Sequence, residues 1–251
     1  MIRRHVLLWA GLLGTTVFLW GPMALLLQRG FRIEALAAFA RDTELWGALT
    51  QSLLLAVASA ALSTIAGTAI AFGLPSLPAG WRRIAFAAVA FPLVLPEIAI
   101  ALAMMVWFIR LGIPFGWTTL LLGHVGFTLS YAVLILKISV EGLQWSLVEA
   151  ARDCGARGWS VFRHAIWPQI APAALASFIS GFSLSLDDFL VSFFNKGLDQ
   201  DLLPIRLYSA LRLKVAPGLY AVSALLFCLS TACVLVSQLW LARRSSPPSR
   251  S

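Results

Sequence analysis

Charged residues are scarce in this sequence: Asp, Glu, Lys and Arg make up 12% of its 251 residues, against 60% hydrophobic. A soluble domain carries about 25% charged residues. A chain this apolar would expose large sticky patches in water, so its solvent is lipid. Cysteine is nearly absent. Cys154, Cys228 and Cys233 form an odd, sparse set that neither builds a disulfide framework nor fits the spacing of a metal site. Cys228 and Cys233 fall inside an apolar run, where cysteine reads as a small hydrophobe. Histidine is limited to His5, His124 and His164. Serines abound in the second and fifth apolar runs, but no histidine is expected at their depth to serve as a base, which argues against an intramembrane hydrolase. No Gly-Lys dipeptide occurs, which excludes a Walker-type phosphate loop. ATP hydrolysis, if the protein uses it, must come from another polypeptide.

What is present is a series of long apolar runs. Six are long enough to cross a hydrocarbon core of roughly 17–25 residues: Val6–Leu27, Trp46–Leu74, Ile84–Ile109, Thr119–Leu136, Ile170–Phe194 and Leu219–Leu241. Runs this long and continuous are helices, not barrel strands. The first is too long for a signal-peptide core and has no small-x-small cleavage site after it, so it reads as an uncleaved span. The net charge is +8 at pH 7. No dense basic stretch interleaves with aromatics, so nucleic acid is not the partner. The Lys and Arg cluster between runs instead. Both termini placed in the cytoplasm put Arg3, Arg4, Arg82, Arg83, Arg243 and Arg244 inside, and the basic residues there outnumber those outside.

Within the runs, Ser59, Ser63, Gly67 and Ala71 recur every fourth residue, a smooth stripe for close approach of another helix. Pro92 and Pro96 should kink or open the third helix near mid-membrane. Pro168 and Pro172 are expected to open the fifth. Three acids lie inside spans: Glu97 in the third, and Asp187 with Asp188 in the fifth. No Lys or Arg of this chain lies at comparable depth. Carboxylates there face the bundle interior or water, so they are candidates for a solute path, or for pairing with another subunit. On a continuous helix Asp187 shares a face with Ser180 and Ser183, whereas Asp188 falls near Leu184, Gly181 and Ser177, a face suited to helix packing, and is expected to orient or to pair across the subunit interface. The path candidates are therefore Asp187, Asp188, Glu97 and Ser183. No metal site is expected.

The longest inner polar stretch, roughly 137–167, reads as two short amphipathic helices joined at Gly155. Leu143, Leu147, Ala150, Ala151 and Cys154 form one face of the first. Trp159, Phe162 and Ile166 form an exposed apolar face of the second, which either lies in the lipid interface or enters a partner's groove.

Within this stretch, Glu149-Ala150-Ala151-Arg152-Asp153-Cys154-Gly155 running on to Pro168 resembles the E-A-A loop of binding-protein-dependent ABC permeases. The family pattern places Ile and Leu where this chain has Ala165 and Trp167, so the tail of the motif departs from it. The similarity extends over roughly 46–242. Phe91–Glu97, Gly123–Phe127, Ser185–Phe189 and Leu203–Ser209 resemble the spermidine/putrescine permease branch.

The resemblance implies an all-α fold, the type I ABC importer permease with six transmembrane helices, in the bacterial inner membrane. It implies an N-terminal helix and outer loop at 1–45, a transmembrane domain at 46–242 with its coupling loop at 141–168, and a disordered tail at 243–251. Glu149, Ala150, Ala151, Asp153, Gly155, Trp159, Phe162 and Pro168 would couple to the ATPase. The implied partners are a second permease subunit, two cytoplasmic ATPase subunits that bind ATP and Mg, and a separate substrate-binding protein. The chain itself would hold no cofactor and catalyse no reaction. The implied solute is a small cation such as a polyamine; relatives in the wider family import opines, phosphonate, iron, thiamine or sulfate. A channel would explain broken helices and buried acids but not the E-A-A loop.

Overall fold

The computed structural model describes residues 2–213 and 216–245, and every regular element among them is a helix. In chain order these are α1 (Ile2–Gly30), α2 (Ile33–Arg41), α3 (Thr43–Gly73), α4 (Ala79–Ala90), α5 (Glu97–Arg110) and α6 (Trp117–Glu141). They are followed by α7 (Trp145–Asp153), α8 (Trp159–Val161), α9 (Trp167–Asp187), α10 (Leu190–Asn195), α11 (Leu203–Leu213) and α12 (Pro217–Ser245). Thr43–Ser76, Trp117–Glu141 and Trp159–Asp187 are long and apolar enough to cross a membrane; α4 with α5 makes a fourth span if the bent pair is counted as one. Of the tail expected from 243, the part to Ser245 closes α12 and residues 246–251 lie outside the described residues.

Proline acts where its missing donor predicts. Pro92 sits in a 3-10 turn and Pro96 just ahead of α5, and the two helices they separate meet at 107°. The third run is thus two helices at a corner, a sharper break than a kink. Pro168 lies in the first turn of α9, as expected, whereas Pro172 falls inside that helix and does not open it. The second helix of the polar loop is not free-standing, however. It continues into α9 through a π-helical stretch at Phe162–Ile166, where the Trp167 N–H reaches back to the Phe162 carbonyl. Pro168 offers no N–H to the turn before it, and the wider π turn accommodates that loss. The Gln169 side chain donates to the Ala165 carbonyl at 2.6 Å within the same stretch.

The chain divides into two compact units. One comprises the residues up to Ala48 together with Arg206–Ala232. Here Asp42 accepts from the Leu45 N–H at 2.9 Å and caps α3. Phe39 stacks on Trp46 at 4.5 Å, Arg206 pairs with Glu44 at 3.0 Å, and Arg29 lies over the Tyr220 ring at 5.7 Å.

The other unit is centred on Leu49–Ile205 and carries the main core. The small-residue stripe of α3 is buried along its length, at Ser59, Ser63, Gly67 and Ala71. Against it lie α6 and α9. Ser63 Oγ meets Thr128 Oγ1 at 2.6 Å, and Thr64 Oγ1 meets Ser177 Oγ at 3.2 Å. A Cβ on Gly181 would touch Ala60 at 3.4 Å. Below this polar seam Ala71, Ala132, Leu136, Val140, Ile170 and Ala174 form a continuous apolar cluster. Close backbone approach replaces large side chains as the source of contact, as suits helices for which lipid gives no hydrophobic drive to associate.

A Cβ on Gly67 would stand 2.9 Å from Ala132 Cβ and 3.2 Å from its carbonyl carbon. Gly67→Val is therefore expected to destabilise by about 1–3 kcal/mol through overpacking. Gly47→Ala, in open space on the same helix, should be neutral or stabilising by up to about 1 kcal/mol. Thermal unfolding of the purified protein in detergent compares the two; equal tolerance would mean that α3 and α6 do not touch.

Candidate functional site

The fifth run was expected as one helix from Ile170 to Phe194, and it is not. α9 stops at Asp187, Asp188 turns into extended backbone (φ −66°, ψ 111°), and α10 starts at Leu190. The sequence supplies the reason. Asp competes for its own neighbouring amides and is a poor interior residue but a good cap. Asp188 Oδ1 accepts from the Val191 N–H at 2.8 Å and caps the new helix. Its other oxygen, Oδ2, is buried with no hydrogen-bond partner among the described residues. The side chain is only 4% exposed. The expectation that Asp188 continues the helical face of Ser177 and Gly181 is thus corrected, because the chain has left the helix by then. Ser177 and Gly181 do pack, against α3.

Asp187 is exposed at the C-terminal end of α9, where the helix dipole opposes a negative charge. Ser183 lies one turn earlier on the same face, and its Oγ is buried without a partner. Glu97 opens α5 just after Pro96, half-buried, at a helix N-terminus that favours a carboxylate. Because α10 packs on α5, all three acids come within electrostatic reach of one another. None forms an ion pair among the described residues. The four path candidates therefore collect around one helix break, with Asp188 turned inward as a cap and Asp187 outward.

Four residues that sequence reasoning underrated surround this break. His124 was expected at an outer helix end, away from the serines; it is 1% exposed, with Ser185 Oγ 2.7 Å from Nδ1 and Ser192 Oγ 3.1 Å from Nε2. Both ring nitrogens are taken by hydroxyls. Asn195, fully buried, donates to the Val191 and Ala101 carbonyls at 3.0 and 3.4 Å and locks α10 to α5. Gly123 and Gly126 make the packing possible: a Cβ would lie 2.7 Å from Val191 Cγ1 at the first and 2.6 Å from Met104 Cε at the second. The signals for His124 were its place between those glycines and within the Gly123–Phe127 stretch that carries the family resemblance.

The second cluster of candidates is the loop between α6 and α9. Glu149, Ala150 and Asp153 are exposed on α7, and Ala151 is half-buried. The face expected for α7 is rotated: Val148 is its buried residue, packed with Val161 and Ala165, while Leu147 is 50% exposed. Gly155 turns with φ +86° and Gly158 with φ +50°, conformations that L residues resist. Trp159 is 71% exposed and stacks on Phe162 at 5.1 Å. Phe162 and Ile166 are not part of an exposed face; both are half-buried against the apolar cluster around Leu136 and Ile170, and Ile166 also packs on the loop's own core at Val148, Val161 and Ala165. Pro168 is exposed at the start of α9. Gln169, unremarked in the sequence, ties the loop's ends, because its Oε1 accepts from the Gln144 N–H at 2.9 Å. A cavity of about 440 Å³ opens between Arg152, Arg157, Val161 and Phe162.

Comparison with known proteins follows the same lines. Residues 62–247 match the family of binding-protein-dependent transport system inner membrane components. The chain is 31% identical over 211 residues to the spermidine/putrescine transport system permease protein PotC of Escherichia coli strain K12, covering 84% of this chain and 80% of that one. It is also 31% identical over 235 residues to the putrescine transport system permease protein PotI of the same strain, covering 86% and 83%. Among solved structures, a bacterial ABC transporter that imports the acidic polysaccharide alginate superposes with a TM-score of 0.68 at 17% identity, over 98% of both chains. The MetNI methionine ABC transporter superposes with a TM-score of 0.62 at 13% identity, over 82% of this chain and 99% of that one.

The capping geometry carries its own prediction. Asp188→Ala removes the Val191 acceptor and should lower stability by about 1 kcal/mol, while Asp188→Asn keeps that acceptor and most of the stability. Thermal unfolding in detergent reads the difference; equal losses in both variants would mean that charge and not capping holds the break.

Proposed function

This chain belongs to the binding-protein-dependent transport system inner membrane components, as a permease subunit of an ABC importer, and from that premise we propose that it forms half of the path for a polyamine. The observation that carries the proposal is the gathering of Glu97, Asp187 and Asp188 at one helix break with no cationic side chain paired to them among the described residues. Carboxylates held in a membrane interior without a counter-charge lower the barrier for a solute bearing several ammonium groups and raise it for an anion. Asp187, outward at the unfavourable end of α9, gains most from such a solute. Asp188, committed to its cap through one oxygen, offers the other. Ser183 adds a hydroxyl one turn along. The relatives PotC and PotI, whose names refer to spermidine and putrescine, support the same class.

The rest of the reading follows from the family premise. Six spans are made by α1, α3, the α4–α5 pair, α6, the α9–α10 pair and α12, with residues 1–45 as a helix and outer loop and 46–242 as the transmembrane domain. Both termini face the cytoplasm. The loop at 141–168 then lies inside, where exposed Glu149, Ala150, Asp153 and Trp159 present a surface to one of two ATPase subunits. Half-buried Ala151 and Phe162, the Gly155 turn and Pro168 brace it, so that movement of the loop reaches α9 directly through the π-helical stretch. ATP and Mg belong to the ATPase subunits. A second permease completes the path, and a separate binding protein delivers the solute.

Uptake of a labelled polyamine and of an anionic phosphonate into vesicles holding the complete importer tests this reading. Asp187→Asn should cut polyamine uptake on the order of tenfold or more with binding to the separate receptor unchanged. Carriage of the anion with no effect of the substitution would overturn the cationic reading.

A further inference from the structure

Almost every polar group near the break serves the path or its immediate caps, except one. His124 is buried, titratable in kind, and contacts neither Asp187 nor Asp188, yet it spans the discontinuity between them and α10. Its Nδ1 meets Ser185, three residues before Asp188 and still in α9; its Nε2 meets Ser192, four residues after and inside α10. We propose that His124 is a positioning residue for translocation: its imidazole ties Ser185 to Ser192 and so sets the angle between α9 and α10 at which Asp187 and Asp188 are presented.

The hydrogen-bond inventory keeps both ring nitrogens engaged in either tautomer. A neutral imidazole has one donor and one acceptor. Ser59 Oγ on α3 lies 2.9 Å from Ser185 Oγ and 3.2 Å from the Ala56 carbonyl, and its single proton can serve either, so in one tautomer Ser185 donates to Nδ1 and Nε2–H donates to Ser192, and in the other the roles reverse with both bonds kept. The chain Ser59–Ser185–His124–Ser192 thus runs from α3 through α9 and α6 to α10. His124 is fixed on its own helix as well, because Thr128 donates to the His124 carbonyl at 2.7 Å and meets Ser63 of α3. Ser59, Ser185, Ser192 and Thr128 are all at most 4% exposed, so water does not compete for these bonds. Two short helical ends that could pivot about the extended backbone of Asp188 are instead held by one rigid planar ring. A shift of about 1 Å in a positioning group can lower a rate a hundredfold without changing what is bound.

The inference rests on the break lying on the solute path but not on the charge of the solute. The test uses the complete importer in vesicles, with uptake measured over a range of solute concentrations. His124→Leu, which keeps bulk but no polar atom, should lower the maximal rate on the order of tenfold or more, with little change in the half-saturating concentration that the binding protein sets. His124→Gln, whose terminal amide offers one donor and one acceptor, should recover most of that rate; a purely space-filling role would favour Leu over Gln. Ser185→Ala and Ser192→Ala cover the case in which His124→Leu does not accumulate in the membrane. Each should reduce the maximal rate, and the pair should reduce it no further than either one, as expected of a single link. Wild-type rates in both serine variants, additive losses, or better transport by Leu than by Gln would each overturn the proposal. If Asp187→Asn is silent while His124→Leu is not, the cationic reading fails and the positioning role stands.

Discussion

A helix that stops inside a bilayer leaves amides and carbonyls with no water to pair them, and each one left open costs several kcal/mol. The break between α9 and α10 meets this constraint from within the chain. Asp188 covers the Val191 amide, and His124 fastens both helical ends through Ser185 and Ser192. Much of the surrounding packing serves that arrangement. Gly123 and Gly126 let α10 and α5 come close enough to α6 for the imidazole to reach, and the serine stripe of α3 supplies the hydroxyls behind it. A larger residue at any of these positions would move the break.

The electrostatics follow from where the helices end. Asp188 caps α10 through the Val191 amide and Glu97 stands at the amino end of α5, so both face backbone amides. Asp187 sits at the carboxyl end of α9 and receives no such help. One of three neighbouring carboxylates is therefore left to be offset by something outside the chain. In the reading proposed above, a passing cation fills that role. The same logic separates structure from function at adjacent residues: Asp188 is largely spent on the backbone, and Asp187 is not.

Much of this was legible in the sequence, for identifiable reasons. The four-residue repeat of small side chains on α3, the proline break ahead of Glu97 and the glycine turn at Gly155 each rest on local rules that hold wherever the segment is placed. The E-A-A pattern was legible because it is contiguous. The break at Asp188 was not. Two aspartates in an apolar run look like a polar stripe on a helix until a cap partner is known, and that partner, an amide three residues on, carries no sequence signature. His124 was hidden for a related reason: its partners lie far along the chain, and depth cannot be read from distance to the end of an apolar run. The face of α7 was read one residue out, with Leu147 for Val148, because a short helix with several apolar residues fits more than one rotation.

The central claim is that solute passes the broken end of α9, beside Asp187. A structure of the complete importer, trapped with a polyamine partway across, tests it most directly. The account predicts an ammonium group of the solute within ion-pair distance of the Asp187 carboxylate, with α9 and α10 still parted at Asp188 and the His124 ring between Ser185 and Ser192. A solute lodged away from Asp187, or a helix running unbroken through Asp188 and Phe189, would contradict it.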